Sequence, residues 1–150
     1  MTMKREPKRI WRYWLIAAAS FLVCFGLALL VLPALTRQVF SYLIFGSTSA
    51  TDRFGPEARH YISFVYGVLG ATIIGWGTAL LFAIRGPFSE GRREGWLMIA
   101  VPILAWFVLD SGLSLSAGHP ANALLNAALL LLFAPPLVAT FRHFFKDPAK

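Results

Sequence analysis

The sequence predicts an all-α integral membrane protein, a compact antiparallel four-helix transmembrane bundle forming a single domain over residues 1–150. Three observations predict it. Apolar residues make up 57% of the chain and charged residues only 14%, a balance foreign to an ordinary water-soluble domain. The charges are also far apart: 24 uncharged residues separate Arg12 from Arg37, 25 separate Arg59 from Arg85, and Asp110 is the only charge between Glu94 and Arg142. Stretches of that length match the roughly 20 apolar residues that cross a bilayer as a helix. The single cysteine, Cys24, excludes an internal disulfide and a thiolate metal cluster, and the composition excludes a disordered or collagen-like chain.

The spans fall at about residues 12–33, 61–84, 94–115 and 120–141. The first follows a basic arm of Lys4, Arg5, Lys8, Arg9 and Arg12 and has to be weighed against a signal peptide. Its apolar run of about 20 residues exceeds the roughly 7 to 15 of a signal core, and no small-residue cleavage site precedes Pro33, so a retained helix is expected. The second enters at Gly55-Pro56-Glu57, where proline and an acid suit a first turn, and stops at Arg85-Gly86-Pro87. The third begins near Ser89-Glu90 or Trp96, with Ser89 as its expected cap. Pro102 within it predicts a kink, and Pro135-Pro136 predicts a bend or local unwinding of the fourth. Short connections make the second and third, and the third and fourth, expected antiparallel neighbours.

Only residues 34–58 form a connection with room for structure of its own. Val39, Phe40, Leu43 and Ile44 beside Arg37 and Gln38 suit a short helix lying in the membrane interface or dipping toward the bundle. The alternative is a first span that continues past Pro33 as a long, kinked helix. Residues 46–55 read as a polar turn.

Four spans place both termini on one side, and lysine and arginine say which. The N-terminal arm, the second connection (Arg85, Arg92, Arg93) and the tail (Arg142, Lys146, Lys150) hold 11 of the 14 basic residues, against Arg37, Arg53 and Arg59 on the other face. Both termini are therefore expected in the cytoplasm, with Trp11, Tyr13, Trp14 and Trp96 as headgroup-level anchors. The four-span plan resembles that of many small bacterial inner-membrane proteins, which implies a multi-pass protein of that membrane. The net charge of +7 serves attraction to anionic lipid; no nucleic-acid partner is expected.

Within lipid, helices associate through small residues. Gly67, Ala71, Gly75 and Ala79 recur every four positions and predict a packing seam, against another span or a membrane protein partner, with Gly70 and Gly77 on a neighbouring face. Ala17, Ser20, Cys24 and Ala28 are its expected counterpart in the first span, Cys24 being a small buried packing residue.

Asp110 most needs a reason, because a carboxylate at mid-membrane costs about 2.5 to 3.5 kcal/mol on insertion scales. Asn122 and Asn126 share one helix face at about the depth of Asp110, across a short turn that Ser111, Ser114, Ser116 and His119 surround. Glu57, His60 and Tyr61 are placed to complete a polar pocket, with Trp106 and Trp76 as an apolar floor. One reading has Asp110, Asn122 and Asn126 hydrogen-bonding one another to fix register. Another is a pocket for a lipid or quinone-like ligand. A metal held by Glu57, His60, Asp110 and His119 suits the donor chemistry but has no supporting ligand motif, so no metal is expected. Phosphate-loop, dinucleotide, zinc-protease and haem motifs do not occur, so no cofactor is expected. The first expectation is therefore a non-catalytic lipid-binding, accessory or scaffold subunit. The alternatives are a membrane-embedded redox or lipid-modifying enzyme with an outer-face polar site, and a small transporter, which the lack of deeper charges weakens.

Overall fold

A computed structural model describes residues 8–145; Lys4, Arg5, Lys146 and Lys150, which entered the charge asymmetry, lie outside the described residues. Five α-helices follow one another: α1 (Arg9–Val31), α2 (Pro33–Phe45), α3 (Pro56–Ala83), α4 (Arg93–Ser116) and α5 (Pro120–Phe145). All but α2 are long and apolar enough to cross a membrane. The shortest of them, α1, has 23 residues. At about 1.5 Å per residue that length covers the roughly 30 Å hydrocarbon core. The protein is an all-α, multi-span membrane protein built as a compact four-helix bundle.

The punctuation between helices has local causes. Leu32 leaves helical geometry at φ −119°, ψ 56°, and Pro33 opens α2 in a first turn, where a missing N–H costs nothing. The break makes α2 a helix of its own, so the chain is not one continued kinked span. It packs on α3 and reaches both α1 and α5, covering one end of the bundle. Gly46, at φ 70°, ends it in the left-handed conformation that glycine adopts without strain. Beyond it, the buried Ser41 hydroxyl donates to the Ser47 carbonyl at 2.6 Å and ties down the turn containing a short 3-10 segment, Ala50–Arg53.

Between α3 and α4 the helix stops where Arg85-Gly86-Pro87 predicts, in a π-type turn, Ile84–Phe88, with Gly86 out of helical geometry (φ −93°, ψ −109°) before Pro87. The Arg92 N–H closes that turn on the Pro87 carbonyl at 2.9 Å. Ser89 does not cap α4, whose N-cap is Arg92; its hydroxyl instead donates to the Arg85 and Gly86 carbonyls at 2.6 and 2.9 Å. A Cβ on Gly95 would strike the backbone of Phe88 and Pro87, so α4 approaches the turn as closely as only glycine permits.

Of the bend or local unwinding expected at Pro135 and Pro136, the unwinding does not occur: helix α5 runs unbroken through both. Pro136 has no N–H for the Leu132 carbonyl one turn back, and the Trp14 indole of α1 donates to that carbonyl at 2.9 Å instead.

The chief pairings are α1 with α3 and α4 with α5. Contact between α3 and α4 is sparse despite their short connection, because α3 is drawn onto α1. The seam runs along Gly70 and Gly77, both buried; of the expected stripe only Gly67, where a Cβ would lie 3.7 Å from a Leu30 methyl, faces α1, and Ala71, Gly75 and Ala79 do not. A Cβ on Gly26 would lie 2.7 Å from the Gly70 carbonyl oxygen, and one on Gly77 2.8 Å from a Val23 methyl. Ala71, Gly75 and Ala79 face outward, and a Cβ on Gly75 would meet nothing within 4 Å. Cys24 is exposed on α1, on a different face from Gly26, and is not a buried packing residue. The buried core gathers at the end where the termini lie, around Leu15, Ala19, Leu80, Ile84, Phe88, Ile99, Ile103 and Phe133.

Gly26→Leu should therefore weaken the α1–α3 seam by about 1 to 3 kcal/mol, the usual cost of overpacking. Gly75→Leu should stay within about 0.5 kcal/mol of the parent. Unfolding of both in mixed detergent micelles measures the difference, and equal losses would refute the seam.

Candidate functional site

Toward the end covered by α2 the two helix pairs part and enclose a cavity of about 430 Å³. That size lies within the roughly 300 to 1,000 Å³ of sites that hold small molecules. Leu22 and Phe25 of α1 and Leu69, Ile73 and Trp76 of α3 form one wall; Ile103, Trp106 and Asp110 of α4 with Leu125, Asn126 and Leu129 of α5 form the other. Phe40 of α2 also lines it, and its ring stacks on Tyr66 with centroids 4.8 Å apart. Trp76 and Trp106 meet across the cavity, their centroids 5.8 Å apart and their planes inclined by 54°.

The polar groups are Asp110, Asn122, Asn126 and Thr72, set in an otherwise apolar lining. Asp110, Asn122 and Asn126 do not hydrogen-bond one another. Asn122 Nδ2 donates to Ser114 Oγ at 2.7 Å, and Ser114 Oγ donates to the Asp110 backbone carbonyl, also at 2.7 Å. Asn126, only 2% exposed, donates through Nδ2 to Ser111 Oγ at 3.3 Å. The two serines, rather than the acid, tie α4 to α5. No hydrogen bond or ion pair among the described residues reaches the Asp110 carboxylate, which belongs to the cavity lining.

Of the groups expected to converge, Asp110, Asn122, Asn126, Trp106 and Trp76 share this cavity. Glu57, His60 and Tyr61 do not join them. They border a separate surface cleft with Pro56 and Phe64, made by the first turns of α3 alone. All three side chains are exposed. His119 sits in the α4–α5 turn, where its N–H bonds the Ser114 carbonyl at 2.8 Å, and it is not among the lining residues. Among the described residues no three of His, Cys, Asp and Glu come together as a metal site, so Glu57, His60, Asp110 and His119 form no ligand set.

Phe25, Phe40, Leu69, Ile73, Leu125 and Leu129 were not anticipated as lining. Their signal is absent because they are chemically the same as residues facing lipid, such as Leu109 and Leu124, each 73% exposed. No protein-family model, curated protein or solved structure matches the chain.

The bonding pattern separates two roles. Asn126→Ala should destabilise the bundle by about 1 to 3 kcal/mol, since it strips a buried bond and leaves space. Asp110→Asn, which breaks no side-chain bond, should remain within about 0.5 kcal/mol of the parent. Thermal unfolding in detergent checks both.

Proposed function

We propose that the protein is a non-catalytic accessory or scaffold subunit that binds a lipid or quinone-like amphipathic molecule in the cavity between its helix pairs. The observation that carries this reading is the cavity's wall. It is apolar and aromatic over most of its surface, with three of its four polar side chains, Asp110, Asn122 and Asn126, gathered on α4 and α5 and the fourth, Thr72, on α3. An amphiphile presents the same division, an apolar body with one polar end. Ala71, Gly75 and Ala79, facing outward on α3, leave a small-residue surface for a membrane protein partner.

An oxidoreductase or lipid-modifying enzyme would draw on Glu57, His60 and His119 as well as Asp110, and these three do not line the cavity. A transporter would need polar groups continuing toward the termini, where Leu15, Ile84, Phe88 and Ile99 fill the core. The non-catalytic reading asks for neither.

In the proposed topology the termini face the cytoplasm of a bacterial cell and the cavity lies toward the outer face of its inner membrane. Support comes from Arg85, Arg92, Arg93 and Arg142 at the termini end and from the aromatic group there. Trp96 packs edge-on against Phe145 at 5.1 Å, and Arg93 lies over the Phe145 ring at 4.4 Å.

Protein purified in mild detergent should carry a small amphiphile at about one per chain, detected by mass spectrometry of the extract. Leu129→Trp, which fills the cavity, should lose it at unchanged expression. Equal retention by both proteins, or none by the parent, would reject the ligand-binding reading. In a Cys24→Ser background, an impermeant thiol reagent applied to intact cells should label Thr48→Cys and leave Glu90→Cys unlabelled; the reverse would invert the topology.

A further inference from the structure

We propose that the cavity selects amphiphiles with a cationic, N–H-bearing head, a protonated amine; this rests on the ligand-binding reading above and narrows it to one headgroup chemistry. The inference follows from where the protons of the cavity's polar groups go. Ser114 has one hydroxyl proton, and it is given to the Asp110 carbonyl at 2.7 Å. Asn122, 2.7 Å from the same Ser114 oxygen, must therefore be the donor in that pair, which fixes the orientation of its amide. Thr72 gives its proton to the Val68 carbonyl at 3.0 Å, and Asn126 commits an N–H to Ser111.

What remains among the described residues is weighted toward acceptors: the Asp110 carboxylate, the two asparagine amide oxygens and the Thr72 oxygen. Each asparagine keeps a second N–H, and the Trp76 and Trp106 indoles each carry an N–H that no hydrogen bond among the described residues uses, but a carboxylate accepts only and carries the only formal charge in the lining. A quinone carbonyl or a fatty-acid carboxylate brings further acceptors to this wall, and the latter also meets like charge. An ammonium supplies both the missing donors and the opposite charge. The Trp76 and Trp106 rings in the lining are the side-chain type that best attracts a cation. The apolar remainder of the wall, Phe25, Leu69 and Leu129 among it, suits an alkyl tail.

The test is equilibrium dialysis of radiolabelled octylamine, octanol and octanoate against the full chain in phosphatidylcholine nanodiscs at pH 7, with protein-free nanodiscs as blank. An alkylamine, with a pKa of about 10, is a cation there. Octylamine is expected to bind saturably and roughly tenfold to a hundredfold tighter than octanol, the range of a hydrogen bond to a charged group, with octanoate weakest. Asp110→Asn should erase the preference while octanol binding persists. Trp106→Leu keeps the carboxylate and should narrow the preference, which gives a second reading should Asp110→Asn fail to accumulate. Equal binding of octylamine and octanol by the parent would overturn the headgroup inference and leave the cavity's role standing. Saturable binding of none of the three would overturn both, and a preference unchanged in both variants would remove Asp110 and Trp106 from it.

Discussion

Hydrocarbon offers no hydrogen bond, so each polar group carried into it needs a partner within the chain. The helices answer for the backbone, and the side chains answer locally. Thr72, Thr78, Ser114 and Thr140 each donate to a carbonyl one turn back, at 3.0, 2.8, 2.7 and 2.7 Å. Where Pro136 removes a backbone donor, the Trp14 indole reaches across from α1 to supply one. That contact does two things at once. It lets α5 carry two adjacent prolines without breaking, and it ties the first helix to the last. Trp96 makes a similar contact at 3.1 Å with the Leu137 carbonyl, from α4. Tryptophans that mark the membrane boundary in the sequence thus also hold helices together.

The same constraint shapes the packing. With lipid as apolar as leucine, burial does not choose which faces meet, and the choice falls to close backbone approach and to polar contacts. Glycine provides the first, at Gly26, Gly70 and Gly77 between α1 and α3 and at Gly95 against the π-type turn. Asparagine and serine provide the second, between α4 and α5. These are two separately fastened pairs, and they share a filled core only near the termini. The cavity is what two such pairs leave between them at the other end, where α2 folds over the opening. It is a consequence of the architecture rather than of one undersized side chain.

The sequence reveals depth well and rotation poorly. Gaps between charges locate the four spans, and proline and glycine locate most breaks, because charge in lipid and a missing N–H have large local costs. Asp110, Asn122 and Asn126 are conspicuous for the same reason. Which side of a helix faces its neighbour is another matter. Gly70 and Gly75 are equally small, so four-residue spacing favours a stripe that is mostly outward while the true seam follows the heptad spacing of Gly70 and Gly77. Cys24 sits two residues from Gly26, and that rotation of α1 carries it outward. Glu57 and His60 share the level of the polar cluster but not its direction. In a soluble bundle the polar outer face would have announced each rotation; here Phe82, 76% exposed, reads like any core residue.

Asp110 stands apart from this economy of internal partners. Asn122 gives an N–H to the Ser114 oxygen, and Ser114 passes its own proton to the Asp110 backbone carbonyl. The serine thus satisfies the main chain of the acid while leaving its side chain unbonded. An asparagine at the same position would bring its own donors and a smaller insertion cost, and a leucine would bring neither polar demand nor charge. A carboxylate costs most of the three, and among the described residues nothing offsets it. In the proposed reading the offset comes from what occupies the cavity. A group that brings donors and positive charge into a low-dielectric space interacts there more strongly than it would in water. The wiring that withholds partners from Asp110 within the protein is the same wiring that keeps its oxygens available to a bound molecule.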